Sequence, residues 1–162
     1  MSYPVLSTPG VHLIALEMKR FIGLPITVPF EPGRDGPRSV HRVREEFLRR
    51  RHEIPNPLSP GRYVCPHFSS EALFTYFYCM EVGSLDTVPG GMVGFTIPPH
   101  RYAAVRSEGD PYLEIENSLL AQGLHKDTRA LALEFYSFDR PVWPGEVDVY
   151  VPLATPGDEK GW

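Results

Sequence analysis

The sequence predicts an α+β domain built as a tandem repeat, on three observations. Short runs rich in apolar, β-branched and aromatic residues dominate the chain, as strands separated by turns require. Two segments read as helices, one by an apolar period near 3.6 residues and the other by a capping acid before a proline and a closing glycine. Their positions make the order strand, strand, helix, strand, strand occur twice in 162 residues, and a duplicated order predicts two halves related by a pseudo-two-fold axis. The expected arrangement is antiparallel sheets with both helices on one side and a central ligand cleft. In it, the helix-free faces of the two halves meet around the axis and form that cleft.

The first half opens with "VHLIALEM" (11–18) and "FIGLPITV" (21–28), both strand-like, with Pro25 pointing to an edge or a bulge. "SVHRVREEFLRRRHEI" (39–54) predicts a helix: Ser39 can cap it, and Val40, Val43, Phe47 and Ile54 recur at helical spacing. "RYVCPHF" (62–68) and "LFTYFYCMEV" (73–82) follow as a hairpin. In the second half, "MVGFTIPPHRYAAV" (92–105) gives one or two strands. Asp110 before Pro111 is a helix start, a capping acid ahead of a proline at the first helical position, and "PYLEIENSLLAQ" should stop at Gly123. "ALALEFYSF" (130–138) and "EVDVYVPLA" (146–154) close the fold. The breakers between these runs are "PFEPGRDGP" (29–37), "IPNPLSPG" (54–61), "TVPGG" (87–91) and "RPVWPGE" (140–146), which hold much of the proline and glycine. One overlay of the halves lays Leu16, Arg20, Phe21 and Leu24 on Ile97, Arg101, Tyr102 and Val105. The expected organisation is a flexible N-terminus (1–9), one domain (10–154) with modules over 10–86 and 87–154, and a flexible tail (155–162) that includes Trp162.

Bulk properties narrow the function. A net charge of −4 argues against gripping nucleic acid over a large surface, and weakly favours cations. No apolar run reaches the ~18–20 residues that span a bilayer, and the N-terminus lacks a basic-then-apolar leader, so a cytoplasmic protein without a membrane role is expected. Cys65 and Cys79 fall on neighbouring strands and read as buried free thiols. The six histidines form no ligand pair, so no metal is expected. "RRRHE" (49–53) suits a helix C-terminus and a solvated face better than a phosphate site.

The chemistry concentrates around "RALALEFYSFD" (129–139). Strand alternation puts Leu131, Leu133 and Phe135 on one face and Ala132, Glu134, Tyr136 and Phe138 on the other. On a solvated face Glu134 would be ordinary; in a pocket it would need hydrogen bonds or a cation, because a buried unpaired carboxylate costs several kcal/mol. Parity likewise sets Phe74, Tyr76, Tyr78 and Met80 against Phe77 and Glu81 on the preceding hairpin, without saying which face looks into the cleft. Tyr63, Phe68, Tyr102 and Trp143 complete the supply of rings, most of them core.

These segments together resemble a known family. "MKRFIGLPITV" is similar to its opening strands, "FTYFYCMEV" followed by "VPGGMVGFTIPPHRYAAV" to its central signature, and "LEFYSFDRP" and "EVDVYVPL" to its close. The family is the GyrI-like small-molecule-binding domain, the effector-binding module of AraC- and MerR-type multidrug regulators, and the resemblance runs from Gly10 to Leu153 in what looks like a stand-alone form. It implies a tandem-repeat α+β, SOUL-like fold with an aromatic-walled pocket and an acid at its base. By motif that acid corresponds to Glu134, and a second acid to Glu81. Cys79 stands where the family commonly has a glycine ahead of the second acid.

The leading expectation is therefore a protein that binds bulky aromatic or cationic compounds through Glu134, Tyr136, Glu81, Tyr76, Tyr78, Phe77, Tyr63, Phe138 and Trp143, with no cofactor, as a monomer or weak dimer. A hydrogen bond from Tyr136 or Tyr63, or an arginine, should hold Glu134 ionised. No segment reads as a helix-turn-helix, so a transcriptional role would need a second protein. The resemblance also implies a hydrolytic alternative, in which Glu134 and Tyr136 open reactive cyclopropane-bearing toxins. Inhibition of a partner protein such as a topoisomerase, or haem carriage with His67 or His100 as the axial ligand, are further alternatives.

Overall fold

The structure is a computed structural model that describes residues 10–29, 38–69, 73–139, 143 and 145–155. The expected breaker at 30–37, residues 70–72, most of 140–146, the expected flexible N-terminus and all of the expected tail but Thr155 lie outside these residues. Eight strands and two helices follow in the doubled order: β1 (His12–Leu16), β2 (Lys19–Pro29), α1 (Arg38–Arg50), β3 (Arg62–Ser69), β4 (Leu73–Val82), then β5 (Val93–Ile97), β6 (His100–Val105), α2 (Pro111–Gln122), β7 (Ala132–Ser137) and β8 (Asp148–Pro152). No described helix is long and apolar enough to cross a membrane.

All eight strands join one antiparallel sheet in the order β1-β6-β8-β7-β3-β4-β2-β5. Exchanging each strand with its counterpart in the other half and reversing the list returns the same order, so the architecture has a two-fold axis between β3 and β7. The sheet cannot be flat. Only Glu17 and Met18 link β1 to β2, six places along the sheet. Six flat strand spacings need roughly 29 Å, whereas a two-residue link reaches roughly 11 Å. Pro98 and Pro99 impose the same constraint between β5 and β6. The ends must therefore curl together, and the pairings show how: β1 on β6 (Leu16 opposite His100) and β2 on β5 (Lys19 opposite Ile97) keep one register through both links.

Closure changes the expected position of the cleft. The helix-free faces, expected to form it, instead enclose a core in which Leu16, Phe21, Cys79, Tyr102, Phe135 and Tyr150 pack together with no helical residue. Its members correspond in pairs across the axis: Leu16 to Ile97, Phe21 to Tyr102, Val64 to Leu133 and Cys79 to Tyr150. On the outer face, α1 covers β2 and β4 through Phe47 and Val43, and α2 covers β6 and β8 through Ile115 and Leu119. The face left outside this core is therefore the helix-bearing one, which carries both α1 and α2.

Local signals behave as their chemistry dictates. Asp110 accepts from the N–H groups of Tyr112 (3.0 Å) and Leu113 (3.2 Å), and Gly123 ends α2 in the left-handed region at φ 67°. Helix α1 starts at Arg38, one residue before the expected cap Ser39, whose side chain lies outside the described atoms, and tightens into a 3₁₀ turn at Arg51–Glu53 before Ile54 enters the core. Pro25 pairs only with β4, because β5 ends its pairing opposite Gly23, so it does occupy an edge. A Cβ on Gly23 would stand 1.9 Å from the Tyr78 carbonyl oxygen. That glycine, directly opposite Cys79, supplies the close backbone approach at the position where the family pattern is broken.

Candidate functional site

Glu134 sits on the pseudo-two-fold axis. Its partner across β3 and β7 is Cys65, which is also its counterpart in the other half, so the acid is an asymmetric feature of a symmetric frame. It points to the helix side and is only 7% exposed. Three phenols converge on it. Tyr76 from β4 donates to Oε1 at 2.6 Å, Tyr136 from its own strand donates to Oε1 at 2.9 Å, and Tyr112 from the first turn of α2 donates to Oε2. The Tyr112 hydroxyl also meets His67 Nε2 at 3.0 Å, while His67 Nδ1 stands 3.3 Å from the Cys65 carbonyl and 4.0 Å from Glu134 Oε2. An ionised carboxylate is acceptor-only, and here its two oxygens receive three hydroxyl donors.

The phenols stay neutral donors. Burial first, and then the Glu134 charge, push Tyr112 and Tyr136 well above the ordinary phenol range. Burial, with the neighbouring Cys65 next, does the same for Tyr76. Tyr63 is pushed up to about 12, again mainly by burial. Among the described residues no lysine or arginine lies within 4.0 Å of Glu134.

Around this centre the rings form a continuous wall. Tyr63 stacks on Tyr136 at 4.9 Å and 5° and packs on Phe138 at 4.8 Å. The Arg51 guanidinium lies 3.8 Å above the Phe138 ring. Tyr78 meets Tyr76 edge-on at 5.2 Å, and His67 stacks on Tyr76 at 5.7 Å. Trp143, 45% exposed, stacks on Tyr112 at 6.1 Å. Beside the cluster, under α2, lies a cavity of about 280 Å³ whose wall includes Tyr112 and His67.

The structure thus brings Glu134, Tyr136, Tyr76, Tyr78, Tyr63, Phe138 and Trp143 to one face. Tyr136 makes the expected bond to the acid; Tyr63 stacks on Tyr136 instead. Glu81 and Phe77 stand on the opposite face. There Glu81, 7% exposed, pairs with Lys19 at 3.2 Å, and Phe77 packs on Phe95 in the enclosed core. His67 joins the site through Tyr112, whereas His100 stands 3.4 Å from Asp127, a residue of the cavity wall. Sequence reasoning does not single out Tyr112. Cys65 and Cys79 are free and buried on opposite faces of the sheet, since Val64 rather than Cys65 lies opposite Cys79.

A two-fold α+β sheet with a shielded acid among tyrosines defines an effector-binding domain of the GyrI-like class. More narrowly, the profile described as Cass2, integron-associated effector binding protein, matches residues 13–153, and this chain belongs to that family. The transcriptional regulator BrlR of Pseudomonas aeruginosa is 28% identical over 126 residues, covering 71% of this chain; the chain spans 46% of that relative's length. Among solved structures, the EcmrR C-terminal domain aligns with TM-score 0.66 at 12% identity over 90% of this chain and 98% of that one. SAV2435 bound to tetraphenylphosphonium aligns with TM-score 0.62 at 11% identity over 93% and 96%. The integron cassette protein VCH_CASS2 of Vibrio cholerae aligns with TM-score 0.55 at 10% identity over 90% and 96%. At these identities the structural likeness is one of fold.

Proposed function

We propose that this chain binds bulky aromatic organic cations on the helix-bearing face, with Glu134 as the charge partner and the surrounding tyrosines as ring walls. The observation that carries the reading is a carboxylate 7% exposed, held by three hydroxyls and approached within 4.0 Å by no described lysine or arginine. Hydroxyl donors stabilise such a charge without neutralising it, so a ligand cation gains Coulomb attraction in a medium of lowered dielectric. Each ring face it reaches adds about 0.5–2 kcal/mol. The tetraphenylphosphonium held by SAV2435 is a ligand of this chemistry. Sensing or sequestration of such compounds is the corresponding role, in a cytoplasm that keeps Cys65 and Cys79 reduced.

Fluorescence quenching by a planar cationic dye and by a neutral analogue tests the assignment. Glu134→Gln should weaken the cation by roughly 1.5–3 kcal/mol, the range of a hydrogen bond to a charged group, and leave the neutral analogue bound. Equal affinity of both proteins for the cation would overturn it. The Tyr136 to Glu134 contact of 2.9 Å also supports a hydrolytic reading, in which the acid orients water and the phenol donates a proton. Recovery of a cyclopropanoid substrate heavier by one water would favour that reading; unchanged ligand mass favours binding alone.

A further inference from the structure

The cavity of about 280 Å³ under α2 is a consequence of asymmetry between the halves. Across the axis, Ala132 on β7 corresponds to Tyr63 on β3, and Val151 on β8 to Met80 on β4. In the first half, the Tyr63 ring packs with Phe47 and Phe138 beneath α1. In the second half, the smaller Ala132 and Val151 line open space beneath Ile115 and Leu119 of α2. The space is therefore where a ring stands in the other half.

Its position relative to Glu134 gives it a use. Ala132 is two residues from Glu134 on the same face of β7, about 7 Å along the strand. The Tyr112 hydroxyl, which donates to Glu134 Oε2, and the His67 imidazole, which it touches at 3.0 Å, both belong to the cavity wall. A volume of about 280 Å³ lies just under the ~300–1,000 Å³ of a whole small-molecule pocket. It suits one aromatic arm rather than an entire bulky ligand. The rim carries Glu116 and Asp127 against Lys126, a balance that admits cations.

Resting on the proposed cation-binding role, we propose that this cavity is a separate arm-binding compartment of the site. It takes a one- or two-ring substituent of a quaternary phosphonium or ammonium ion whose charge sits at Glu134, with Tyr112 and His67 as the partition the ligand parts on entry. The compartment selects ligands by the size of one substituent, independently of their charge.

Calorimetric titration of the full chain with tetraphenylphosphonium and with tetraethylammonium tests this, using Ala132→Phe, which installs a ring where the other half has one, and Ala130→Leu as a second filling variant. Thermal unfolding verifies that each is folded. Filling should weaken tetraphenylphosphonium at least tenfold in both variants and change tetraethylammonium less than twofold. Unchanged tetraphenylphosphonium affinity in a folded filling variant, with Glu134→Gln still weakening it, would overturn the compartment and leave the charge site standing. No binding to the wild-type chain, or no effect of Glu134→Gln, would instead overturn the cation-binding role and the compartment with it.

Discussion

At the scale of single residues, the site depends on what three phenols do to one carboxylate. Oε1 of Glu134 takes two hydroxyls from the sheet, Tyr76 and Tyr136, whereas Oε2 takes Tyr112 from a helix. A cation approaching from the cavity side meets Tyr112 first, and must displace its hydrogen bond to reach Oε2. Tyr112→Phe removes that bond while keeping the ring stacked near Trp143, so affinity for tetraphenylphosphonium should rise by roughly tenfold or more, the scale of one charged hydrogen bond. Unchanged or weaker binding in calorimetry would assign Tyr112 a structural role only. Part of this arrangement is legible in the sequence. Period-two alternation alone puts Tyr136 beside Glu134, and Tyr76 with Tyr78 on one face. Tyr112 and His67 are not legible. A residue in the first turn of a helix reaches a strand only through the helix's docked rotation, and His67 acquires its role through its contact with Tyr112.

At the scale of elements, α2 is written locally and placed globally. Asp110, Pro111 and Gly123 mark both of its ends in the sequence, and the helix occupies 111–122 because these residues satisfy its terminal N–H and C=O groups. Asp110→Ala should cost about 0.5–2 kcal/mol in denaturant unfolding, and a loss near zero would show that the cap contributes little. Because α2 carries Tyr112, the same change should loosen the hold on Glu134 Oε2. Helix α1 is less legible at its end. Its apolar spacing extends to Ile54, but the last turn tightens at Arg51, whose guanidinium covers Phe138, so a 3₁₀ turn rather than continued helix brings Ile54 into the core.

At the scale of the whole molecule, the doubled element order is visible in the sequence, whereas the closure of the sheet is not. Which strands meet is decided by pairings distant in sequence, such as Leu16 with His100 and Lys19 with Ile97, and that closure turns the helix-free faces into core and leaves Glu134 and its tyrosines on the helical side. The packed sheet also sets the response to alkali. All seven described tyrosines have raised pKa values, Tyr63 and Tyr102 to about 12, mainly through burial. Since these folded-state values exceed the unfolded value of about 10, their contribution to stability is complete below pH ~10 and is lost as pH rises through about 12. Phenolate absorbance at 295 nm should therefore rise together with unfolding; seven tyrosines titrating near pH 10 in a folded chain would contradict this. The most direct measurement of the central claim is a crystal of the chain with tetraphenylarsonium, whose arsenic is located by anomalous scattering. The account predicts the arsenic between α1 and α2, about 4–6 Å from the Glu134 carboxylate, within reach of an opposite charge. An arsenic site elsewhere, with Glu134 still held by its three tyrosines, would contradict it.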